Sequence, residues 1–175
     1  MVPFLPALLI LIGLALPAFA DSDDEVRRAV QMGDLEAVET ILDEDPNRIR
    51  KRDAHGFLMI HLLDYTNFDP MLSLLMQRGA NINATTPEGY TLLHVLIDPE
   101  FLPAALKAGA NLEAQDVSGR TPLLVWLTED EGEDMVESLL KAGANPNAQD
   151  VSGRSALDYA RDRETVKLLM KYGAK

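Results

Sequence analysis

Three histidines, His55, His61 and His94, are the side chains in this sequence with the widest chemical range. A zinc site needs several ligands that converge on one point, often from a spacing such as H-x-x-x-H or H-E-x-x-H. Neither spacing occurs, and the chain contains no cysteine. We therefore expect no metal site, no disulfide and no thiol chemistry.

The serines and glycines also lack a catalytic arrangement. No serine stands in G-x-S-x-G, and no G-x-x-x-x-G-K-[ST] or G-x-G-x-x-G phosphate-binding loop is present. The acidic run 129–134 does not have the alternating oxygen ligands of a calcium loop, which favours a solvated turn. We predict a protein that is not an enzyme and that holds no cofactor.

The charge of the chain restricts its partners. It has 28 acidic and 16 basic residues, which give a formal net charge of −12. A surface this acidic repels the phosphates of nucleic acids and anionic membranes. Opposite charge steers association, so the expected partner is another protein with a basic surface.

The first twenty residues predict export. Residues 1–20 carry no charged side chain, and the aliphatic run 3–16 leads to the small-residue pattern Ala18-Phe19-Ala20. This pattern is typical of a signal peptide, here cleaved after Ala20, and predicts a periplasmic or secreted protein without membrane insertion after cleavage. No lysine or arginine precedes the run. An uncleaved segment that tethers an envelope scaffold to the membrane is therefore the alternative.

Internal repetition organises the rest of the chain. The segment Ala114–Arg120 recurs letter for letter as Ala148–Arg154, and related glycines stand at positions 56, 89, 119 and 153, spaced by 33, 30 and 34 residues. Such a period is typical of stacked supersecondary units, none of which buries its apolar face alone.

One unit shows the predicted local structure. Thr121 is a good N-cap, Pro122 a good first helical residue, and a short apolar helix follows. A second helix over 135–140 has apolar residues at helical spacing, and Gly143 suits the left-handed position after a helix. The turn-rich stretch 145–153 then predicts a hairpin. Each unit is therefore helix, turn, helix and β-hairpin.

These residues resemble the ankyrin repeat pattern G-x-T-P-L-H-x-A. Thr121-Pro122-Leu123 matches it directly, and Thr91-Leu92-Leu93-His94 keeps the threonine and the histidine. Leu58-Met59-Ile60-His61 keeps an aliphatic residue and the histidine, and Ser155 to Ala160 keeps a capping hydroxyl and the closing alanine.

The resemblance implies an all-α ankyrin-repeat solenoid of about five helix-turn-helix units with short β-hairpin connections. Residues 21–175 would form this domain, after the signal segment 1–20. Its units would be 24–53 as an N-terminal cap, 54–86, 87–116 and 117–150 as internal repeats, and 151–175 as a C-terminal cap.

Two departures from the family pattern carry further expectations. Asp69 and Pro70 are predicted to open the second helix of the second unit, as N-cap and first helical residue. Trp126 stands where the family has a small alanine, and we expect its burial between repeats, with an edge that reaches the concave face as the alternative.

The resemblance also implies a binding surface. In ankyrin repeats the hairpin tips and inner helices form a concave surface that binds other proteins, while the histidine of the pattern hydrogen-bonds within and between repeats. Carried over by position, the candidate protein-binding residues are His55, Phe57, Tyr65, Tyr90, Arg120, Glu129 and Arg154. Aromatic and arginine side chains are frequent interface anchors. The alternative for Phe57 and Tyr90 is packing between neighbouring hairpins.

The small, signal-bearing bacterial ankyrin proteins that this chain resembles suggest its role. They include immunity proteins that neutralise toxic effectors in the periplasm, and companions of periplasmic enzymes. We expect a monomeric protein-binding module of one of these two kinds, and the sequence does not choose between them.

Overall fold

Short apolar runs interrupted by glycine and proline produce short helices in this chain. The computed structural model describes residues 22–63 and 66–175, so the predicted signal segment 1–20 and Tyr65 lie outside the described residues. The α-helices of the described part are α1 (Ser22–Gln31), α2 (Leu35–Glu44), α3 (Phe68–Gln77), α4 (Leu92–Val95), α5 (Leu102–Lys107), α6 (Pro122–Trp126), α7 (Glu133–Lys141), α8 (Ala156–Tyr159) and α9 (Arg163–Lys171). Short 3₁₀ turns cover Pro46–Arg50, Met59–Leu62 and Pro99–Phe101.

Aspartate side chains start two of the outer helices. Asp34 Oδ1 accepts a hydrogen bond from the backbone N–H of Ala37 at 3.0 Å at the start of α2. Asp162 Oδ1 accepts two such bonds, from Glu164 at 2.7 Å and Thr165 at 2.8 Å, at the start of α9. Each carboxylate satisfies N–H groups that the helix leaves without a partner.

Helix α3 begins earlier than the sequence predicts. Its N-cap is Asn67 and not Asp69, and Pro70 lies inside the first turn. Asn67 has a φ of 55°, a left-handed conformation that asparagine tolerates, and its amide donates to the Gly33 carbonyl at 2.9 Å. This bond between the first and second units fixes the start of the helix, which local sequence preference does not reveal.

The first helices of successive units stack on one another. α1 contacts the Met59–Leu62 turn, which contacts α4, and the contacts continue from α4 to α6 and from α6 to α8. A single cluster of buried apolar side chains follows this stack. Trp126 belongs to it, at 5% exposed, and its Nε1–H donates to the Leu93 carbonyl at 3.2 Å. The burial predicted for Trp126 is confirmed, and its indole joins neighbouring units.

The connections between units are tight turns with few features of a sheet. Each closes with a backbone bond between its first and fifth residues, as from Asp116 N–H to the Arg120 carbonyl at 3.0 Å. Within the described residues no strand forms, and one isolated antiparallel bridge joins Gln149 and Ser155. The predicted hairpins are therefore reduced to their tips, and the protein is an all-α solenoid.

Candidate protein-binding surface

An acidic or hydroxyl side chain organises each hairpin tip from within. Asp116 Oδ1 accepts hydrogen bonds from the backbone N–H groups of Ser118 and Arg120, both at 2.8 Å. Its Oδ2 accepts from the Arg120 guanidinium, at 2.8 Å to Nε and 2.7 Å to Nη2. One buried carboxylate thus satisfies two backbone donors and neutralises one cation, which locks the turn.

The other tips repeat this arrangement. Asp150 Oδ1 accepts from Ser152 and Arg154 at 2.8 and 3.0 Å. Asp53 bonds its own turn in the same way, and its Oδ2 is paired with Arg27 of α1. Thr86 uses its hydroxyl in the second tip, at 3.3 Å to both N–H groups. The tips are built alike although their residues differ.

Backbone hydrogen bonds join neighbouring tips into what we call the tip row, made of residues 54–55, 87–88, 117–118 and 151–152. Val117 N–H donates to the Glu88 carbonyl at 3.0 Å, and Val151 N–H donates to the Ser118 carbonyl at 2.9 Å. Pro87 occupies the corresponding position of the second tip and has no N–H to donate. Three of the four tips are therefore bonded in sequence.

Two valines protrude from the tip row. Val117 is 71% exposed and Val151 is 77% exposed. They stand at equivalent positions of adjacent tips whose backbones are bonded together. His55, one of the predicted binding residues, is also exposed, on the first tip. Exposed apolar side chains on a rigid backbone are suited to contact with another protein.

Phe57 and Tyr90 lie under the tips and not on them. Phe57 is 6% exposed and its ring meets the His61 ring edge-on, with the centroids 6.0 Å apart. Tyr90 is 9% exposed, and its ring lies 5.5 Å from that of His94. Burial raises the pKa of the Tyr90 hydroxyl, which accepts a hydrogen bond from Arg120 Nη2 at 2.8 Å. These two rings give the tips their support.

Arg120 and Arg154 are both paired within their own turns but differ in access. The Arg120 side chain is 20% exposed and that of Arg154 is 57% exposed. The Arg154 guanidinium lies 4.7 Å from the centroid of the Tyr159 ring. Arg154 therefore presents more of its charge to a partner than Arg120 does.

Tyr159, on α8, supports the last tip and is a residue that sequence reasoning missed. Its hydroxyl donates to Asp150 Oδ2 at 2.6 Å, and burial together with this bond raises the pKa of Tyr159 to about 12. The same bond, with the Arg154 contacts, holds the pKa of the Asp150 carboxyl well below its usual range. Its place on the helix after the tip, and not within the tip, is why the repeat pattern gave no signal for it.

Among the predicted binding residues that the structure describes, Glu129 lies away from the tips. It follows the C-terminal end of α6, whereas the tip residue Arg120 precedes the N-terminal end of that helix. Glu129 is half-buried and accepts a hydrogen bond from Thr128 Oγ1 at 3.3 Å. Burial raises the pKa of this carboxyl.

The two buried histidines bond distant backbone groups, His61 within its own unit and His94 in the following unit. His61 Nδ1 accepts from the Leu58 N–H at 3.0 Å, and Nε2 lies 2.8 Å from the Ala84 carbonyl. In the next unit His94 Nδ1 lies 3.1 Å from the Thr91 nitrogen, and Nε2 lies 3.1 Å from the Arg120 carbonyl. A carbonyl only accepts, so Nε2 carries the proton in both rings. Burial lowers the pKa of both histidines and so favours their neutral form, and the structural role predicted for them is confirmed by these hydrogen bonds.

The described part of the chain contains no group of three or more histidine or acidic side chains that could hold a metal ion. Among the same residues, none of the helices combines the length and the apolar character needed to cross a membrane.

Comparison with known proteins identifies the repeat. Residues 97–175 match the family model for ankyrin repeats in three copies. Residues 97–175 therefore carry ankyrin repeats, and the described residues have an all-α fold consistent with an ankyrin solenoid. Ankyrin repeats are a non-enzymatic module that generally binds other proteins.

Several larger proteins are similar to this chain. It is 29% identical over 117 residues to the regulatory protein NPR1 of Arabidopsis thaliana, which covers 65% of this chain and 19% of that protein. It is 29% identical over 128 residues to the ankyrin repeat and SAM domain-containing protein 6 of Rattus norvegicus, with 67% and 14% covered. The ankyrin repeat domain-containing protein OPG015 of monkeypox virus is 32% identical over 82 residues, with 47% and 18% covered. The chain thus spans less than a fifth of each relative.

Proposed function

We propose that this protein is an exported protein-binding module whose tip row and adjoining inner helices hold a partner with a basic surface. The observation that carries the proposal is the tip row itself, in which Val117 and Val151 protrude from turns that are bonded both internally and to each other. A surface that is rigid before binding loses little conformational freedom when it binds.

The charge of the chain supports the choice of partner. Residues 1–20 carry no charged side chain, so the net charge of −12 belongs wholly to the rest of the chain. Such a domain attracts a basic partner over long distances and orients it at encounter. Binding would occur by surface contact, with no chemical step.

The amino-terminal sequence supports export. The uncharged apolar run and the Ala18-Phe19-Ala20 pattern favour cleavage after Ala20 and a periplasmic or secreted location. There the module would act as a monomeric inhibitor of the immunity type, which occludes the active cleft of a toxin, or as the companion of a periplasmic enzyme. A species whose intact mass begins at Asp21 would support this location.

A second candidate is a membrane-tethered envelope scaffold. The specific observation in its favour is the absence of any lysine or arginine before the apolar run of residues 3–16, which departs from the usual signal peptide. An exported species that keeps its first twenty residues would favour this scaffold and exclude the cleaved form.

Position-specific crosslinking tests the binding surface. A photoreactive amino acid is placed at Val117, at Val151, or at Met32 after α1, which is 66% exposed and lies outside both the tip row and the last two units. We expect one partner to be crosslinked from positions 117 and 151 and not from 32, with a yield that falls as salt increases. Equal yields at all three positions would show that the tip row is not the binding surface.

A further inference from the structure

A groove lies between the last two units, on the far side of α6 from the tip row. It runs between α7 and α9, which pack side by side, and has a volume of about 720 Å³. Its lining includes the apolar side chains of Leu127, Val136 and Leu168, the first two of which are buried. The groove therefore has an apolar base in a region whose rim is charged. We call it the α7–α9 groove.

One wall of the groove is the turn 127–132, and contacts with the last unit hold it in place. Arg161 Nη1 bonds Asp130 Oδ1 at 2.6 Å, and its Nη2 donates to the Thr128 carbonyl at 2.7 Å. At the end of the turn, a Cβ on Gly132 would overlap the carbonyl oxygen of Trp126, so glycine permits the close approach. These contacts tie the turn to the last unit and to the end of α6.

The rim of the groove has an excess of negative charge. Seven of its lining side chains are carboxylates and three are cations. One of the carboxylates, Glu129, is half-buried, and its hydrogen bond from the Thr128 hydroxyl is long at 3.3 Å. Burial raises the pKa of this group, which means that its charge is poorly solvated where it stands. A cation brought beside it would stabilise the charged form.

We propose that the α7–α9 groove docks a basic segment of a partner protein, with lysine or arginine side chains on the carboxylate rim and an aliphatic side chain on the apolar base. Charge complementarity and the apolar base select this occupant, and the volume is within the range of about 300–1,000 Å³ typical of binding sites. The inference rests on the proposed function in that the partner is a protein, but it places a second contact away from the tip row.

A peptide titration of the full-length protein tests the groove without the natural partner. The probe is a short synthetic peptide of alternating lysine and leucine, followed through the backbone amide signals of ¹⁵N-labelled protein. A peptide with glutamate in place of lysine is the control. We expect saturable shifts confined to residues 127–137 and 161–171 with the first peptide and none with the second.

Two charge-matched variants separate the groove from the net charge. Glu129→Gln with Glu133→Gln removes two rim carboxylates, and Glu36→Gln with Glu39→Gln removes two exposed carboxylates from α2. The first pair of substitutions should weaken binding of the lysine-leucine peptide about fivefold or more, because two ion pairs are lost. The second pair should weaken it less than about twofold. Unchanged urea midpoints would establish that both variants are folded.

Several results would overturn the proposal that the groove docks a basic segment. Equal weakening by both variants would mean that net charge alone attracts the peptide. Binding of spermidine with the same shifts and affinity would show a site for any polycation. If the amide signals did not shift, or shifted only at the tip row, the groove would not bind a basic segment, and the proposed function would be unaffected. Conversely, if no partner were crosslinked from Val117 and Val151, the tip row would not be the binding surface, and the result of this titration would still stand.

Discussion

Thr121 carries the buried side-chain oxygen that, among the described residues, has no hydrogen-bond partner. In the preceding unit Thr91 Oγ1 lies 3.0 Å from His94 Nδ1. The fourth unit has Leu124 at the position of that histidine, and its side chain is fully buried. A buried hydroxyl without a partner costs about 1–3 kcal/mol, so the loss of the histidine leaves a local defect in an otherwise regular repeat.

The defect predicts opposite effects for the same substitution in adjacent repeats. Thr121→Val should raise the free energy of unfolding by about 1 kcal/mol, because it removes an unsatisfied hydroxyl and keeps the shape. Thr91→Val should lower it by about 1 kcal/mol, because it removes a hydrogen bond that is made. Urea unfolding of both variants provides the measurement, and a change of the same sign in both would contradict the assignment.

The first tip predicts a sharp difference between two neighbouring residues. Phe57→Ala should lower the free energy of unfolding by about 3 kcal/mol, since it opens a cavity beneath the turn. His55→Ala, on the exposed side of the same turn, should change it by less than about 0.5 kcal/mol. Chemical unfolding checks both values. If Phe57→Ala kept full stability and lost only partner binding, Phe57 would be a surface anchor instead of a support.

The neutral histidines predict a loss of stability on mild acidification. The pKa values of His61 and His94 are lowered by burial from an ordinary 6.5, so below that pH the unfolded chain binds protons that the folded chain does not. Stability is then fully present above pH 6.5 and is lost as pH falls towards the folded values.

The raised pKa of Glu129 acts in the opposite direction, because protonation of this carboxyl favours the folded chain as pH falls. The measurement is therefore best made in Glu129→Gln, by urea unfolding from about pH 7.5 down to about pH 5.5. A constant free energy of unfolding over this range would mean that the two histidines titrate in the folded protein as they do in the unfolded chain.

At the scale of the element, the hairpin tips depend on glycine for two separable reasons. Gly119 has a φ of 73°, and a Cβ there would lie 2.9 Å from the Val151 backbone nitrogen of the next tip. Gly153 has a φ of 80°, but a Cβ at this position would have no neighbouring atom within 4 Å. Backbone strain acts at both positions. Of the two, only Gly119 is also crowded by the neighbouring tip.

This difference predicts the ranking of two alanine substitutions. Gly153→Ala should cost about 1–2 kcal/mol of stability from the left-handed backbone, and Gly119→Ala should cost at least about 1 kcal/mol more from the clash. Thermal and urea unfolding measure both. Equal costs would mean that neighbouring tips move apart freely and are not held as a row.

The elements show what local sequence could and could not predict. The glycine series and the Thr-Pro-Leu motif predicted helix pairs and turns because breakers and caps act locally. The start of α3 at Asn67 was missed, because it depends on a bond to Gly33 of another unit. The inward position of Phe57 and Tyr90 depends likewise on packing against the histidines of their own repeats, so the sequence alone does not decide between binding and packing for these two rings.

At the scale of the whole molecule, the net charge of −12 predicts two opposite responses to salt. Sodium chloride should raise the melting temperature of the free protein, because it screens repulsion among like charges over about 10 Å at 0.1 M. It should weaken binding to a basic partner for the same reason. Sodium chloride is preferable to a sulfate salt, which strengthens apolar burial by itself. A melting temperature that falls with added salt would show that attractive ion pairs dominate.

The α7–α9 groove could not have been read from any one unit. The sequence predicts a solvated turn for the acidic run 129–134, and the length of this run does not indicate a recess. The recess arises where this longer turn stands beside the last unit and is tied to it through Arg161. The space between neighbouring repeats depends on the difference in length of their turns, which has an effect only once the repeats are stacked.

Pro87 has no N–H to donate to the preceding tip, so the first tip is held less firmly in the tip row than the later tips are. Later tips are joined by backbone hydrogen bonds, whereas Pro87 meets Gly56 of the first tip through its ring alone. In the language of local unfolding, the boundary before the second tip is the place where a cooperative unit of the chain can end. A partner that binds on both sides of this boundary would make the two units unfold as one. It would therefore slow amide hydrogen exchange in the first tip more than in the last.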